Sequence, residues 1–255
     1  MKNNFIIVLL TTFSLNLFSQ QDDNIVLDST YSFRWDTTTN DWIGKWGSVY
    51  VYDTNGNILE RIRHSWDSEV DSWVESWRDV YQYDTHGNET ECILYEWNSL
   101  GKVWKNVHRT VSAYDVNGNR IEWIEYNWNG QWQGDYRLVC TYDTNGNMTE
   151  EIGYDWDWET KEWILIRKSV RAYNAFGYTT ESASYYWNTI INDWVGQYTR
   201  MIHEFDAKRN RTEMIYYSWD TITNNWVGEL RYSWIYDANG NRSERNTILM
   251  NFSAF

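Results

Sequence analysis

The hexapeptide Tyr142-Asp143-Thr144-Asn145-Gly146-Asn147 decides the fold of this chain. Asn-Gly between alternating strands is a strong hairpin signal, because both residues tolerate the positive φ that a two-residue type I′ turn requires. Related turns start at Tyr52, Tyr83, Tyr114, Tyr142, Tyr173, Phe205 and Tyr236, at intervals of 31, 31, 28, 31, 32 and 31 residues. Such self-similarity marks a repeat architecture. The copies at Tyr173-Asn174-Ala175-Phe176-Gly177-Tyr178 and Phe205-Asp206-Ala207-Lys208-Arg209-Asn210 are degenerate.

Counting from each Tyr as zero, residue +8 is Glu in every copy (Glu60, Glu91, Glu122, Glu150, Glu181, Glu213, Glu244). Ile is usual at +10, Tyr at +12 and Trp at +14. These columns step by two, the period of one strand face, and the positions between them are mixed and mostly polar. On the strand before each turn, residue −3 is apolar (Val49, Val80, Val111, Val139, Val170, Ile202). Residue −5 is a cation in six copies (Arg78, Arg109, Arg137, Lys168, Arg200, Arg231). A turn centred on Asn-Gly pairs residues whose indices sum to seven. Val −3 then faces Ile +10, Arg −5 faces Tyr +12, and Glu +8 lies beside the Arg of the next strand.

Trp residues come in pairs: Trp35/Trp42, Trp66/Trp73, Trp97/Trp104, Trp156/Trp163, Trp187/Trp194 and Trp219/Trp226, with a closer pair at Trp128/Trp132. The Asp or Asn after each first Trp starts a second, looser hairpin loop. Cross-strand Trp pairing conflicts by one residue with the face parity. A β-bulge at Gly44, Gly134, Gly196 and Gly228 is expected to resolve it. The predicted fold is all-β: an antiparallel up-and-down meander of about fifteen strands, curved or spiral and solenoid-like.

Residues 1–19 read as a secretory signal peptide, with Lys2 before an apolar run, 20–29 as a short linker and 30–255 as a single hairpin-repeat domain. No later stretch is apolar enough to span a membrane as a helix. The formal net charge is −14, which disfavours nucleic acid as a partner. The register sets Cys92 and Cys140 three strands apart, about 14 Å, so two free thiols are expected.

Three features could carry chemistry. Asp-x-Asn-Gly-Asn resembles the start of a calcium loop but lacks its spacing, and turn geometry alone accounts for the residues. The Glu/Arg ladder is periodic, whereas catalysis needs one asymmetric constellation. His64, His86, His108 and His203 fall in four different columns, and no metal, cofactor or catalytic motif stands out. The Trp residues could form a stacking platform for sugars. The candidate ligand-binding residues are Trp35, Trp42, Trp66, Trp73, Trp97, Trp104, Trp123, Trp156, Trp163, Trp187, Trp194, Trp219 and Trp226, of which Trp123 on the mixed face is expected to be exposed. An outer-membrane barrel is disfavoured, because both strand faces carry charge and a midplane cation costs about 2–4 kcal/mol.

The Tyr-Asp-x-x-Gly-Asn turns resemble the YD repeats of the Rhs, teneurin and toxin-complex group, over about six residues in each turn. That resemblance implies a β-sheet spiral able to form a shell, with carbohydrate or cell-surface contact among its roles. The chain also looks like repeat regions of secreted proteins from Bacteroidota. The sequence therefore points to a secreted or cell-surface, non-enzymatic scaffold that binds glycan or protein through aromatic-rich faces. A shell segment of a larger toxin-like protein is the alternative.

Overall fold

The computed structural model describes residues 28–250. The expected signal segment, most of the linker and the terminal Phe255 lie outside the described residues. Fifteen strands follow: β1 (Ser29–Asp36), β2 (Asp41–Tyr52), β3 (Ile58–Asp67), β4 (Ser72–Tyr83), β5 (Glu89–Asn98), β6 (Val103–Tyr114), β7 (Arg120–Trp128) and β8 (Trp132–Tyr142). Then come β9 (Met148–Asp157), β10 (Glu162–Tyr173), β11 (Thr179–Asn188), β12 (Asp193–Phe205), β13 (Arg211–Asp220), β14 (Asn225–Tyr236) and β15 (Arg242–Leu249). They form one sheet in chain order, the meander that the repeats predict. Contacts gather the residues into two units. The first takes in the described residues up to Ser112 with Glu125–Gln133, the second Ala113–Ile124 with the described residues from Gly134 on. No helix among the described residues is long and apolar enough to cross a membrane.

The register is the expected one, but the turn that sets it differs. Val49 faces Ile62 and Arg78 faces Tyr95, so index sums are seven along the hairpins. The turn itself is a three-residue loop. Gly56 N donates to the Asp53 carbonyl at 3.2 Å, and Asp53 N donates to the Asn57 carbonyl at 2.9 Å. This is a type I turn closed by a left-handed Gly, and Gly56 takes φ +88° while Asn55 has no positive φ. Tyr52 accordingly faces Ile58, a sum of six, and one register step just beyond it restores seven. The Asp side chain explains the rest of the motif. Asp53 Oδ1 accepts from the backbone N of Asn55 and Asn57, and Oδ2 accepts from Asn57 Nδ2 at 2.9 Å. The carboxylate on which a calcium reading rested is thus engaged within its own turn.

That bond from Asn57 is the main reason the Asp53 carboxyl sits below the ordinary aspartate value of 3.8. Asp84, Asp115, Asp143 and Asp206 are lowered by the same side-chain bond, and Asp237 first by the Asn241 backbone N–H. A carboxyl lowered on folding stabilises the protein above its unfolded value, and that contribution is lost as pH falls through the folded one. Thermal melts should therefore drop in the acid range below about pH 4. Replacing all six by Asn should flatten this limb, since Asn174 already holds its turn by accepting from Phe176 N and Tyr178 N at 3.0 Å. A six-fold variant whose acid profile parallels the parent's contradicts this account.

Four of the turns are also tied to the one before them. Tyr83 Oη donates to the Ile58 carbonyl in the first unit. Tyr142, Tyr173 and Tyr236 donate likewise to the carbonyls of Arg120, Met148 and Arg211 in the second, all at 2.9 Å. The charge ladder forms as expected at Arg78, Arg109, Arg137, Arg200 and Arg231, while Lys168 lies over the Tyr185 and Trp194 rings at 5.1 and 4.7 Å. In the first unit Arg78 pairs with Glu60 at 2.6 Å, and Arg109 pairs with Glu91. In the second, Arg137 pairs with Glu122 at 2.6 Å, Arg200 with Glu181 at 2.8 Å, and Arg231 with Glu213. Four of these cations lie over the next Tyr column: Arg78 over Tyr95, Arg109 over Tyr126, Arg137 over Tyr154 and Arg200 over Tyr217, 5.2–5.7 Å from the ring centroids. Side chains of three successive strands are thereby linked crosswise.

The mixed face is where the packing is tightest. Ser48, Asp79, Leu138, Cys140, Met214 and Trp234 all belong to it and are all buried. On the ladder face, Ala183 is buried. No side chain among the described residues is fully buried, as expected of a sheet whose strands mix apolar and polar residues on both faces. Cys92 and Cys140 are free thiols, and burial pushes the Cys92 thiol up to about 12.

Candidate functional site

The Trp pairs meet across the hairpins as expected: Trp35 with Trp42, Trp66 with Trp73, Trp97 with Trp104, Trp156 with Trp163, Trp187 with Trp194 and Trp219 with Trp226. Their centroids are 5.0–5.4 Å apart and their planes 60–84° to one another. Trp128 and Trp132 do the same at 5.0 Å. Edge-to-face rings satisfy each other's quadrupoles and present no flat double platform. Beyond the pairs, four-residue loops end on a left-handed residue: Asn40, Asp71, Lys161, Asn192 or Asn224, with φ of 51–60°.

Register shifts follow the second Trp of most pairs, but the glycines there have another reason. The shift after Trp73, Trp104 and Trp163 occurs without Gly. A Cβ on Gly44 would stand 2.5 Å from the Trp66 ring and 2.8 Å from Trp73. On Gly134 it would stand 2.8 Å from both Trp156 and Trp163, and on Gly196 it would collide with Trp219 and Trp226. Each glycine clears the floor on which the next Trp pair lies, so those pairs are packing elements.

Their accessibility follows. Trp66, Trp73, Trp97, Trp104, Trp156, Trp163, Trp187, Trp194, Trp219 and Trp226 are half-buried. Trp35 and Trp42, at the start of the sheet order, are exposed. Trp123 departs from expectation: it is half-buried, 6.2 Å from the Tyr136 ring and beneath Arg120 at 5.6 Å.

One member of a pair, Trp219, contributes to a concave site. A cleft of about 450 Å³ in the second unit is lined by Tyr186, Val195, Ile191, Trp219, Asn188, Asp193, Thr221 and Asn224. β11 supplies Tyr186 directly opposite Val195 of β12, and the loop after β11 supplies Ile191. β13 supplies Trp219, and the loop after it supplies Thr221 and Asn224. The lining combines aromatic and aliphatic side chains with amide, hydroxyl and carboxylate groups. Such a lining offers a ligand apolar contact and hydrogen-bonding groups together. Tyr186 and Val195 lie outside the repeat columns, so periodicity gave no signal for them.

A second departure from the repeat lies in the first unit. Arg61 and Arg63 of β3 both bind Asp79 of β4, with Arg61 Nε at 2.9 Å from Oδ2 and Arg63 Nη2 at 3.1 Å from Oδ1. In the Arg/Glu ladder, by contrast, one cation meets one carboxylate.

Fold and surface together define an all-β hairpin-repeat protein with a cleft lined in part by aromatic rings. No protein-family model and no curated protein matches its sequence. Among solved structures it is similar to a protein of unknown function from Bacteroides fragilis, with 20% identity, 49% of this chain and 91% of that one covered, and a TM-score of 0.42. It is also similar to the Tc holotoxin pore of Photorhabdus luminescens, with 10% identity, 85% of this chain and 13% of that one covered, and a TM-score of 0.36. A porin-like protein from Bacteroides uniformis matches with 8% identity, over 79% of this chain and 88% of that one, at a TM-score of 0.30.

Proposed function

We propose that this chain is a secreted or cell-surface, non-enzymatic β-repeat scaffold that binds glycan through the cleft at Tyr186, Val195 and Trp219. The observation that carries the reading is that cleft, whose lining joins aromatic and aliphatic side chains to polar ones. Periodic carboxylates, spent in turns and ladders, support a binding rather than a catalytic role. The apolar run after Lys2 supports export, and the net charge of −14 speaks against nucleic acid. The YD-like turns support kinship with shell-forming repeats, which is the alternative setting for the same scaffold.

The test is a glycan array followed by titration of the strongest hit. Tyr186 is 37% exposed, so Tyr186→Ala should keep the fold. It should weaken the hit by about tenfold, or ~1.4 kcal/mol. Trp97→Ala, by contrast, should lower the melting temperature and leave affinity unchanged. An array without hits, or a Tyr186→Ala protein that binds as tightly as the parent, sinks the proposal. A protein partner is a second reading, favoured by apolar loop tips that face solvent: Val70 and Leu100 in the first unit, Ile190 and Ile222 in the second.

A further inference from the structure

Arg61, Arg63 and Asp79 form a cluster with more positive than negative charge on a strongly acidic chain. Cations at both +9 and +11 occur in this repeat alone, and Asp79 is the one carboxylate in the −4 column. Across the face, Arg61 stands between Tyr50 of β2 and Asp79, and Arg63 between Ser48 of β2 and Trp77 of β4. The Asp79 side chain is 7% exposed, while each Arg keeps 35% of its side chain open to solvent. Arg63 Nε is buried with no hydrogen-bond partner, and its guanidinium lies 5.8 Å over the Trp77 ring. The carboxylates Asp28 and Glu96 are on the outlying sides, each two strands from β3 and so about 10 Å away. Two guanidiniums carry ten N–H donors between them, and one carboxylate cannot satisfy these.

We propose that this face of the first unit is an anion-binding site that takes the carboxylate or sulfate of an acidic saccharide. Arg61 and Arg63 grip the anionic group in the fork geometry that guanidinium favours. Asp79 holds the two forks in place. Trp46, 50% exposed and two residues along β2 from Ser48, offers its ring to the sugar's apolar face. The site stands apart from the cleft in the second unit and does not depend on it.

The experiment is calorimetric titration of the full chain at low salt with three probes: a galacturonate hexasaccharide, a neutral galactose hexasaccharide and sodium sulfate. The acidic saccharide should bind at least about tenfold tighter than the neutral one, and high salt should weaken it. The triple variant Arg61→Gln, Arg63→Gln, Asp79→Asn leaves no buried charge unpaired and should lose that preference. Tyr186→Ala should leave it intact, which separates this site from the cleft. Where the triple variant melts early, Trp46→Ala carries the test: it should weaken the acidic saccharide by about fivefold and leave sulfate binding alone. Equal binding of acidic and neutral saccharides overturns the proposal. So does unchanged affinity in the folded variants. Sulfate binding with no advantage for the saccharide means an adventitious ion only, and overturns it as well.

Discussion

Gly134→Ala destabilises the protein by about 1–3 kcal/mol, although Ala normally improves on Gly inside a strand by about 0.5–1 kcal/mol. The reversal of sign is the informative part. Gly134 has no positive φ, so its backbone would accept Ala without strain. What Ala meets is the Trp156 ring and the Trp163 ring, each 2.8 Å from the new Cβ. Both rings are already locked edge to face at 5.0 Å, so neither can move without breaking the pair. Thermal melts should show a fall of several degrees, at about 2–4 °C per kcal/mol for a chain of this size. Combining Gly134→Ala with Trp156→Ala should give less than the sum of the single effects, because the second change removes one of the two rings the first one strikes. A neutral or stabilising Gly134→Ala would falsify the view that glycine is there to seat the next Trp pair.

Repairing the sixth turn stabilises the protein by about 1–2 kcal/mol. Arg209 holds the left-handed position that Gly holds in the other turns, at φ +69°. A non-glycine residue there costs roughly 1–2 kcal/mol. Its guanidinium recovers part of this by lying 4.6 Å over the Phe176 ring, a contact worth about 0.5–1 kcal/mol at an exposed site. Phe205, in the anchor position, has no hydroxyl to donate to the preceding repeat and instead stacks on Tyr178 at 5.2 Å. Arg209→Gly relieves the strain, and Phe205→Tyr adds a bond of the kind Tyr173 makes, worth about 1 kcal/mol. Urea unfolding of the double variant should shift to a higher midpoint with an unchanged slope. A lower midpoint means that the contacts with Phe176 and Tyr178 outweigh what the consensus turn supplies.

These two sites show how far the sequence could be read. The Val49–Ile62 and Arg78–Tyr95 pairs, and the Glu60–Arg78 ladder, were legible because they recur in columns with a two-residue step. The turn type was not. Asn55-Gly56 suits a two-residue type I′ loop by composition, and the Asp53 carboxylate, bonded to Asn55 and Asn57, selects the longer one. Its register step then returns the strands to the same pairing, so the register was right for a different reason. Trp123 was misplaced because a mostly polar face suggests solvent, whereas Tyr136 and Arg120 cover it. The cleft at Tyr186 and the Arg61/Arg63/Asp79 cluster lie where residues depart from their columns, and periodicity is silent on departures.

The sequence by itself determined the hairpins, their order, their register and the Trp partnerships. Each of these depends on residues within one repeat or the next, and backbone pairing with a period of two carries a local choice faithfully along a strand. Only the tertiary structure decided which face is the better packed, why glycine follows the Trp pairs, and which aromatic rings remain open to a ligand. Those depend on side chains of different hairpins filling the same space, and packing of that kind depends on shape and volume, which a column of residue types does not record.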